Sequence, residues 1–322
     1  MTKRSLAFIL ILVLILPAAL CSCARADGWS DDGRIRVLST VFPSYDFARA
    51  IGGDAVDARM LIRPGSNMHS YEPTAADTIL IQECDIFIYV GGESDAWVSR
   101  LLSSIDTEGM IVISLCDVAD HLLEEEHVHT EECDEEHAHH EHEAAYDEHV
   151  WTSFANAAEI VKAIEEAISA CAPAQSSTFG KNANTYLDEL SALEAEYRRA
   201  VDSAARKTLF FGDRFPMLYL VRELGLDYRA AFSGCSTVTE PTVSALIHLI
   251  EEARALDSPV ILYMESSEHS HKTADHIAEE VGAETRMLHS GHSLSREEFE
   301  AGVSYLDLLR QNLVVIREAL KS

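Results

Sequence analysis

The sequence predicts an α/β protein made of two similar halves that are joined by a long helix. Short apolar runs alternate with helical segments at intervals of about 25–30 residues, a pattern typical of a parallel sheet covered by helices. The alternation occurs twice, and between the two halves residues 174–206 repeat apolar side chains every three or four positions. A helix of this length extends roughly 40 Å, enough to join two domains, although a long surface helix of one domain is the alternative. Two joined halves leave a cleft between them, where a ligand is expected.

The N-terminal half, residues 34–173, contains four predicted strands. Each is a short apolar run that ends at glycine, proline or a polar segment. Helices fill the intervals, and Thr74 has the side chain of a helix N-cap. The predicted strands are Ile35–Phe42, Ala58–Ile62, Asp85–Val90 and Met110–Leu115. The predicted helices run from Pro43 to about Ile51, from Thr74 to about Glu83, from Gly92 to about Ser104 and from Trp151 to about Ala170.

The C-terminal half, residues 207–322, repeats this order. The predicted strands are Thr208–Phe211, Asp227–Phe232, Pro259–Met264 and Thr285–Leu288. The predicted helices are Pro216–Leu224, Pro241–Leu256 and His271–Val281, followed by one long amphipathic helix from Ser295. We expect the histidines on these helices, among them His248, to be surface residues.

The first 33 residues are predicted to be a secretion signal and a tether. A basic start precedes a short apolar run, Leu6–Leu16, which is too short for a comfortable membrane span. The run leads to LCSC at 20–23, which resembles a bacterial lipobox and implies lipidation of Cys23. We therefore expect a lipoprotein signal peptide at 1–22 and a polar tether at 23–33, with an ordinary secretory signal as the alternative. Either way, the mature protein is expected outside the cytoplasm, at the cell surface or in the periplasm and anchored by lipid to the membrane.

A tract at 121–148, ending just before His149, interrupts the alternation after a strand. It carries histidines among many acidic residues and shows no apolar periodicity, so we predict a solvated loop. Imidazoles and carboxylates suit Zn²⁺ and its neighbours, although an acidic insert with incidental histidines is the alternative. A selective site needs rigid ligands from elsewhere, so the tract is predicted to be an accessory metal loop. Its predicted accessory ligands are His121, His127, His129, His137, His139, His140 and His142.

Charge and cysteines narrow the functional class. The formal net charge of −29 excludes nucleic acid as the natural partner, because that needs a basic face, and attracts cations instead. The cysteines form neither a CxxC zinc knuckle nor a small disulfide framework. Their pairing stays open, and Cys133 inside the tract is a candidate extra ligand.

Several side chains able to bind metal follow predicted strands. The carboxyl ends of parallel strands face a common edge, and three or four nitrogen or oxygen ligands make a tetrahedral zinc site. Each of these residues taken alone is more simply explained as a loop or surface residue. Their shared position after strands is what favours a common metal site. The candidates are His69, His149, His289, His292 and Asp213, with Glu265 and Glu268 as weaker ones. No HExxH, GxSxG or P-loop motif is present in the sequence.

Two motifs resemble the ligand loops of the zinc/manganese substrate-binding lipoproteins of bacterial ABC transporters. PGSNMHSYEP at 64–73 is similar to the first ligand loop of that family and implies His69 as a ligand. DEHVW at 147–151 is similar to the second and implies His149. The acidic tract matches the loop of the zinc-type members, and Tyr305–Leu313 resembles the closing helix of the family.

The resemblance departs at the third motif. The family carries histidine or glutamate there, whereas this chain reads FGDRF at 211–215, so the usual ligand falls on or near Gly212. Asp213 is the nearest side chain able to coordinate and is the weakest member of the implied set. The fourth position, usually an acid, falls on or near His289, and the participation of His292 and Glu265 stays open. The resemblance implies two lobes, each with a mostly parallel four-stranded sheet, joined by a long connecting helix.

The function implied is binding and delivery, with no enzymatic activity. The family resemblance implies that a monomer captures Zn²⁺ in the cleft between its lobes and delivers it to an ABC permease in the cytoplasmic membrane. Three histidines favour zinc as the transported ligand, and a Mn²⁺-type binding protein is the nearest alternative. A surface adhesin or metal buffer is a second alternative. A secreted zinc hydrolase is a third, which would need an open coordination position and a general base.

Overall fold

The fold is described by a computed structural model that covers residues 28–66, 68–124, 146–232, 241–265 and 270–321. It contains two four-stranded sheets with strand orders β2-β1-β3-β4 and β6-β5-β7-β8, and every strand pair in them is parallel. The predicted fold class, two α/β lobes with a long helix between them, is confirmed. The bounds predicted for the two lobes, 34–173 and 207–322, remain predictions.

The first lobe, called here the N-lobe, carries the first four strands. Its elements are β1 (Ile35–Ser39), α1 (Phe42–Gly52), β2 (Val56–Met60), α2 (Ala75–Glu83), β3 (Ile86–Tyr89), α3 (Ala96–Leu102), β4 (Ile111–Ser114), α4 (Leu115–Val118) and α5 (Phe154–Cys171). The centre of β3 is fully buried, as expected for a parallel strand covered on both faces. The second strand begins at Val56, two residues before the predicted Ala58. The prediction started late because Asp57 and Arg59 interrupt the apolar pattern of this strand.

The second lobe, the C-lobe, repeats the arrangement. Its elements are β5 (Thr208–Phe211), α7 (Leu218–Leu224), β6 (Asp227–Ala230), α8 (Val243–Ala255), β7 (Val260–Met264), α9 (Ser270–Val281), β8 (Glu284–Leu288), α10 (Arg296–Glu300) and α11 (Tyr305–Ala319). The single closing helix predicted from Ser295 is wrong. Gly302 adopts φ +74°, and capping boxes begin separate helices after Ser295 and Ser304.

A helix of 28 residues, α6 (Ser176–Ser203), connects the lobes. Its buried residues form one stripe with spacings of three and four, because only that face of the helix lies against the core. The stripe packs on α1 and α5 of the N-lobe and on α11 of the C-lobe. The Tyr197 hydroxyl donates to the Leu309 carbonyl oxygen at 2.6 Å, which ties the helix to α11.

A buried carboxylate joins three of these elements. Asp46 of α1 accepts the Tyr305 backbone N–H at 3.0 Å and the Tyr186 hydroxyl at 3.3 Å. It also pairs with Arg49 at 3.0 Å, and burial raises the pKa of its carboxyl. Because Tyr186 lies on α6 and Tyr305 begins α11, this single side chain links both lobes and the connecting helix.

No helix in the described ranges is long and apolar enough to span a membrane. The predicted signal peptide, Cys23 and the first part of the tether lie outside the described residues, as does most of the tract.

Candidate metal centre

Three histidines meet at the carboxyl ends of the strands. His69 lies in a short 3-10 helix after β2, His149 precedes α5, and His292 follows β8. Their ring centroids are 5.5 Å apart between His69 and His149, and each lies 6.2 Å from the ring of His292. We call these three residues the histidine cluster. Two members come from the N-lobe and one from the C-lobe, so the cluster lies where the lobes face each other.

Each imidazole of the cluster is oriented through its Nδ1 atom. His149 Nδ1 lies 2.9 Å from Asp147 Oδ1, and the same oxygen accepts the His149 backbone N–H at 2.8 Å. Because a carboxylate only accepts hydrogen bonds, His149 carries its proton on Nδ1, and its Nε2 atom is the unprotonated nitrogen of the ring. His69 Nδ1 lies 2.6 Å from Ser94 Oγ. Fixing Nδ1 in this way is the usual arrangement behind a metal-binding histidine.

Glu148 joins the two N-lobe histidines. One of its carboxylate oxygens, Oε1, accepts the Ser94 backbone N–H at 2.8 Å, so the residue beside His149 holds the serine that contacts His69. Gly92 makes room for it, because a Cβ there would lie 2.3 Å from the Glu148 carboxyl carbon. Its other oxygen, Oε2, is buried without a hydrogen-bond partner among the described residues.

The third histidine is held from its own lobe. His292 Nδ1 bonds Ser290 Oγ and lies 3.6 Å from Glu265 Oε1. Glu265 follows β7 and accepts the Ser290 backbone N–H at 2.9 Å and its hydroxyl at 2.7 Å. Glu265, a weaker candidate from sequence, therefore lies directly behind the cluster.

Burial keeps two histidines of the cluster, His69 and His292, neutral. The pKa of His69 is lowered to about 3, and burial is the largest cause. Electrostatic repulsion from His149, His292 and Arg214 contributes to the same lowering of the pKa. Burial, followed by His149 and Arg214, likewise lowers the pKa of His292 to about 3. Neutral imidazoles are the form that binds a metal ion, so these two histidines can bind a cation without first losing protons.

The spacing is close to that of a zinc site but slightly wider. Three imidazoles bound tetrahedrally at about 2.0–2.1 Å would have ring centroids roughly 5 Å apart. The observed separations of 5.5–6.2 Å exceed this. Accordingly, no three His, Cys, Asp or Glu side chains in the described part of the chain meet the distances of a formed metal site. An inward movement of about 1 Å or less by each ring would close the difference.

His289, expected from the sequence to act with His69 and His149, lies outside the histidine cluster. Its backbone N–H and carbonyl both bond the Asn312 side chain, at 2.8 and 2.7 Å. Its ring is buried beside a small cavity, Nδ1 has no partner among the described residues, and Nε2 is 3.9 Å from Glu298. The loop turns at Gly291, with φ +77°, so that His292 takes the position expected for His289.

Asp213, the weakest predicted ligand, is engaged with the backbone. Its two oxygens accept the Arg214 N–H at 2.7 Å and the Met264 N–H at 3.0 Å, which fixes the loop after β5 to the end of β7. At Gly212 a Cβ would lie 2.5 Å from Ala274 Cα and 3.0 Å from its backbone nitrogen. The position where the family pattern places its third ligand therefore leaves no space for a side chain.

Only the edge of the predicted accessory loop is described. His121 is exposed, and the other six histidines of the predicted set lie outside the described residues, as do Cys133 and Glu268. Three described cysteines are free thiols, namely Cys84, Cys116 and Cys171.

Sequence reasoning missed the residues that orient the histidines. Ser94 lies 25 positions from His69, and no sequence pattern connects the two. Ser290 stands between two histidines in HSGH and was passed over because a lone serine in a loop carries no signal. Asp147 lies inside the second motif, and its spacing of two from His149 was the one available clue.

Comparisons with known proteins agree with this geometry. The family model described as "ZnuA: Zinc-uptake complex component A periplasmic" matches residues 37–319. The chain is 30% identical over 313 residues to the zinc-binding lipoprotein AdcA of Streptococcus pneumoniae, covering 95% of this chain and 60% of AdcA. It is also 30% identical over 324 residues to the high-affinity zinc uptake system protein ZnuA of Bacillus subtilis, covering 99% of both.

Solved structures agree with the fold. The Zn(II)-bound ZnuA-like domain of Streptococcus pneumoniae AdcA matches with a TM-score of 0.71 and 27% identity, covering 90% of this chain and all of that domain. The chain thus spans about 60% of the length of AdcA.

Proposed function

The chain belongs to the family of the periplasmic zinc-uptake complex component A, and from that premise we propose that it is a zinc-binding protein of an ABC transporter. It captures Zn²⁺ outside the cytoplasm and hands it to a permease in the cytoplasmic membrane. The observation that carries the proposal is the histidine cluster, in which two buried imidazoles and the half-buried imidazole of His69 all have their Nδ1 atoms engaged. Its members would be the ligands, with His292 in the position that the sequence assigned to His289.

The donor set supports zinc as the cargo. Imidazole nitrogens suit Zn²⁺, whereas Mn²⁺ prefers carboxylate and other oxygen ligands. Asp147 and Glu265 face Nδ1 atoms and stand behind the ligands, so neither carboxylate supplies the oxygen that would favour manganese. Three protein nitrogens leave a fourth position of a tetrahedral ion for another donor.

Metal binding would bridge the lobes. His69 and His149 belong to the N-lobe and His292 to the C-lobe, so one ion contacts both. An ion that interacts more favourably with the closer arrangement shifts the population toward it, and that arrangement is the form offered to the permease. The work is capture and release, with no bond made or broken in the cargo.

We further propose the location and the accessory parts. Lipidation at Cys23 would anchor a monomer to the membrane through the segment 23–33, and the signal at 1–22 would be removed. The tract 121–148 would gather zinc at weak, exchanging sites near the mouth of the cleft.

The test is calorimetric titration of the mature, metal-stripped protein with Zn²⁺ and with Mn²⁺. We expect one tight zinc site that survives deletion of 121–143 and is lost in His69→Ala, together with weaker sites that disappear with the tract. His248→Ala, which removes an exposed histidine from α8, is the matched control and should leave the tight site unchanged. If tight binding depends on the tract and ignores His69→Ala, the protein is a metal buffer and the proposal fails.

A further inference from the structure

We propose that Ser290 is a positioning residue for the metal ligand of the C-lobe, because it fixes the tautomer of His292 and registers that histidine against the N-lobe. The inference rests on the proposed function, in which His292 binds the ion.

Every polar atom of Ser290 is engaged, although the residue is only 2% exposed. Its backbone N–H and hydroxyl donate to the two oxygens of Glu265, at 2.9 and 2.7 Å. Its carbonyl oxygen accepts the Trp151 indole N–H at 2.9 Å, and its hydroxyl oxygen bonds His292 Nδ1. The hydroxyl oxygen also accepts the His292 backbone N–H at 3.4 Å, and these five hydrogen bonds together fix the orientation of the serine.

The direction of these bonds determines where His292 carries its proton. A carboxylate only accepts, so the Ser290 hydroxyl must give its single hydrogen to Glu265. Its oxygen is then available to His292 only as an acceptor, and Nδ1 must carry the hydrogen. The Nε2 atom keeps its lone pair, which is the form that can bind an ion. The same result is reached at His149 by direct contact with Asp147.

The carbonyl of Ser290 forms a hydrogen bond that connects the two lobes. Trp151 lies two residues after His149, and its ring stands edge-on to that imidazole at 5.4 Å between centroids. The Tyr305 hydroxyl donates to the Trp151 carbonyl oxygen, which fixes the tryptophan from the other side. The bond from the Trp151 indole to Ser290 therefore ties the loop of His292 to the segment of His149, and the two ligands keep their separation through it.

The Glu265→Gln substitution, which hardly changes the shape of the side chain, should reverse the tautomer of His292. The Ser290 backbone N–H still needs an acceptor, so the glutamine carbonyl takes that side and its amide NH₂ faces the hydroxyl. The hydroxyl oxygen then accepts from the amide and its hydrogen turns to His292 Nδ1. The imidazole must move its proton to Nε2, where it blocks the metal. Ser290→Ala instead removes the hydroxyl contact and leaves Nδ1 facing Glu265 Oε1 at 3.6 Å, beyond hydrogen-bond distance.

The experiment compares both variants with Ser258→Ala, which removes a C-lobe hydroxyl that donates to the Val260 carbonyl oxygen at 3.0 Å. Zinc affinity is measured by competition with a chelator, and the tautomer of His292 by long-range ¹H–¹⁵N correlation spectra of the metal-free protein. We expect affinity to fall about 10- to 100-fold in Ser290→Ala and Glu265→Gln. Ser258→Ala should match the parent protein. The spectra should show Nδ1–H in the parent protein and Nε2–H in Glu265→Gln.

Two results would overturn the inference. One is affinity in both variants within about twofold of the Ser258→Ala control. The other is a fall in affinity while the His292 tautomer of Glu265→Gln stays that of the parent, since that pattern reports a structural role alone. In either case a tight zinc site in the parent that is lost in His69→Ala leaves the proposed function standing. Failure of the parent protein to bind zinc tightly would refute the function itself.

Discussion

Replacing His292 by alanine is expected to weaken zinc binding about 100-fold, whereas replacing His289 is expected to leave it nearly unchanged. The two histidines lie three positions apart in one loop and are both almost completely buried. They differ in surroundings: the ring of His292 lies 6.2 Å from each of the other two cluster rings, while His289 is held by Asn312 beside a separate cavity. The variants His292→Ala and His289→Ala therefore make the same chemical change at two positions, and only the surroundings of the lost imidazole differ.

The magnitude follows from the number of ligands. Structural zinc sites have apparent binding free energies of about 10–16 kcal/mol for four ligands, so one ligand contributes roughly 3 kcal/mol. Loss of His292 should then raise the Kd about 100-fold. Loss of His289 removes packing but also removes a buried nitrogen without a partner among the described residues. These effects oppose each other, and the free energy of unfolding should change by no more than about 2 kcal/mol.

The assay is competition with a chromogenic zinc chelator, with urea unfolding of each metal-free variant to show that it is folded. The reasoning is refuted if His289→Ala loses tight binding and His292→Ala keeps it. That result would mean that the ligand set implied by the sequence is correct and that the loop after β8 rearranges when zinc enters.

Three further predictions concern the stability of the protein around the histidine cluster. Gly212→His, which restores a histidine near the third motif of the family, should not tighten zinc binding and should lower stability by about 1–3 kcal/mol, because its Cβ would meet Ala274 Cα at 2.5 Å. Asp46→Ala should cost about 1–3 kcal/mol in urea unfolding, because it leaves the Tyr305 N–H and the Tyr186 hydroxyl, which both bond Oδ2 of the carboxylate, without their acceptor. The metal-free protein should lose stability as pH falls below about 6.5, because two cluster histidines have a pKa of about 3 when folded and the unfolded chain, with ordinary values, binds more protons in that window.

Each of these has a contrary result. Tighter zinc binding with unchanged stability in Gly212→His would mean that α9 yields to the new side chain. An effect of Asp46→Ala no larger than that of Asp188→Ala, an exposed site on the connecting helix, would mean that the lobes do not depend on this contact. Unfolding free energies of the metal-free protein that stay level from pH 7.5 to 5 would mean that the cluster histidines are not protected from protons.

Many of the helices and strands could be predicted because they depend on the pattern of apolar and polar residues along a short stretch of sequence. The predicted strand Thr208–Phe211 matches the observed one residue for residue, since four apolar or β-branched residues between Lys207 and Gly212 are too few for a helix. The closing segment was misread, because the periodicity on both sides of Gly302 suits one helix and the break is made by a glycine torsion and the cap at Ser304. His69 could be named because it lies inside a recognisable ten-residue motif.

By itself the sequence determined the α/β class, the division into two halves and the N-lobe pair His69 and His149, because periodicity and short motifs are properties of neighbouring residues. Only the tertiary structure decided which histidine of the loop after β8 joins them. That choice depends on the torsion at Gly291 and on partners far along the chain, Trp151 at a separation of 139 residues from Ser290 and Asn312 at 23 from His289. Hydrogen bonds over such separations exist only in the folded molecule.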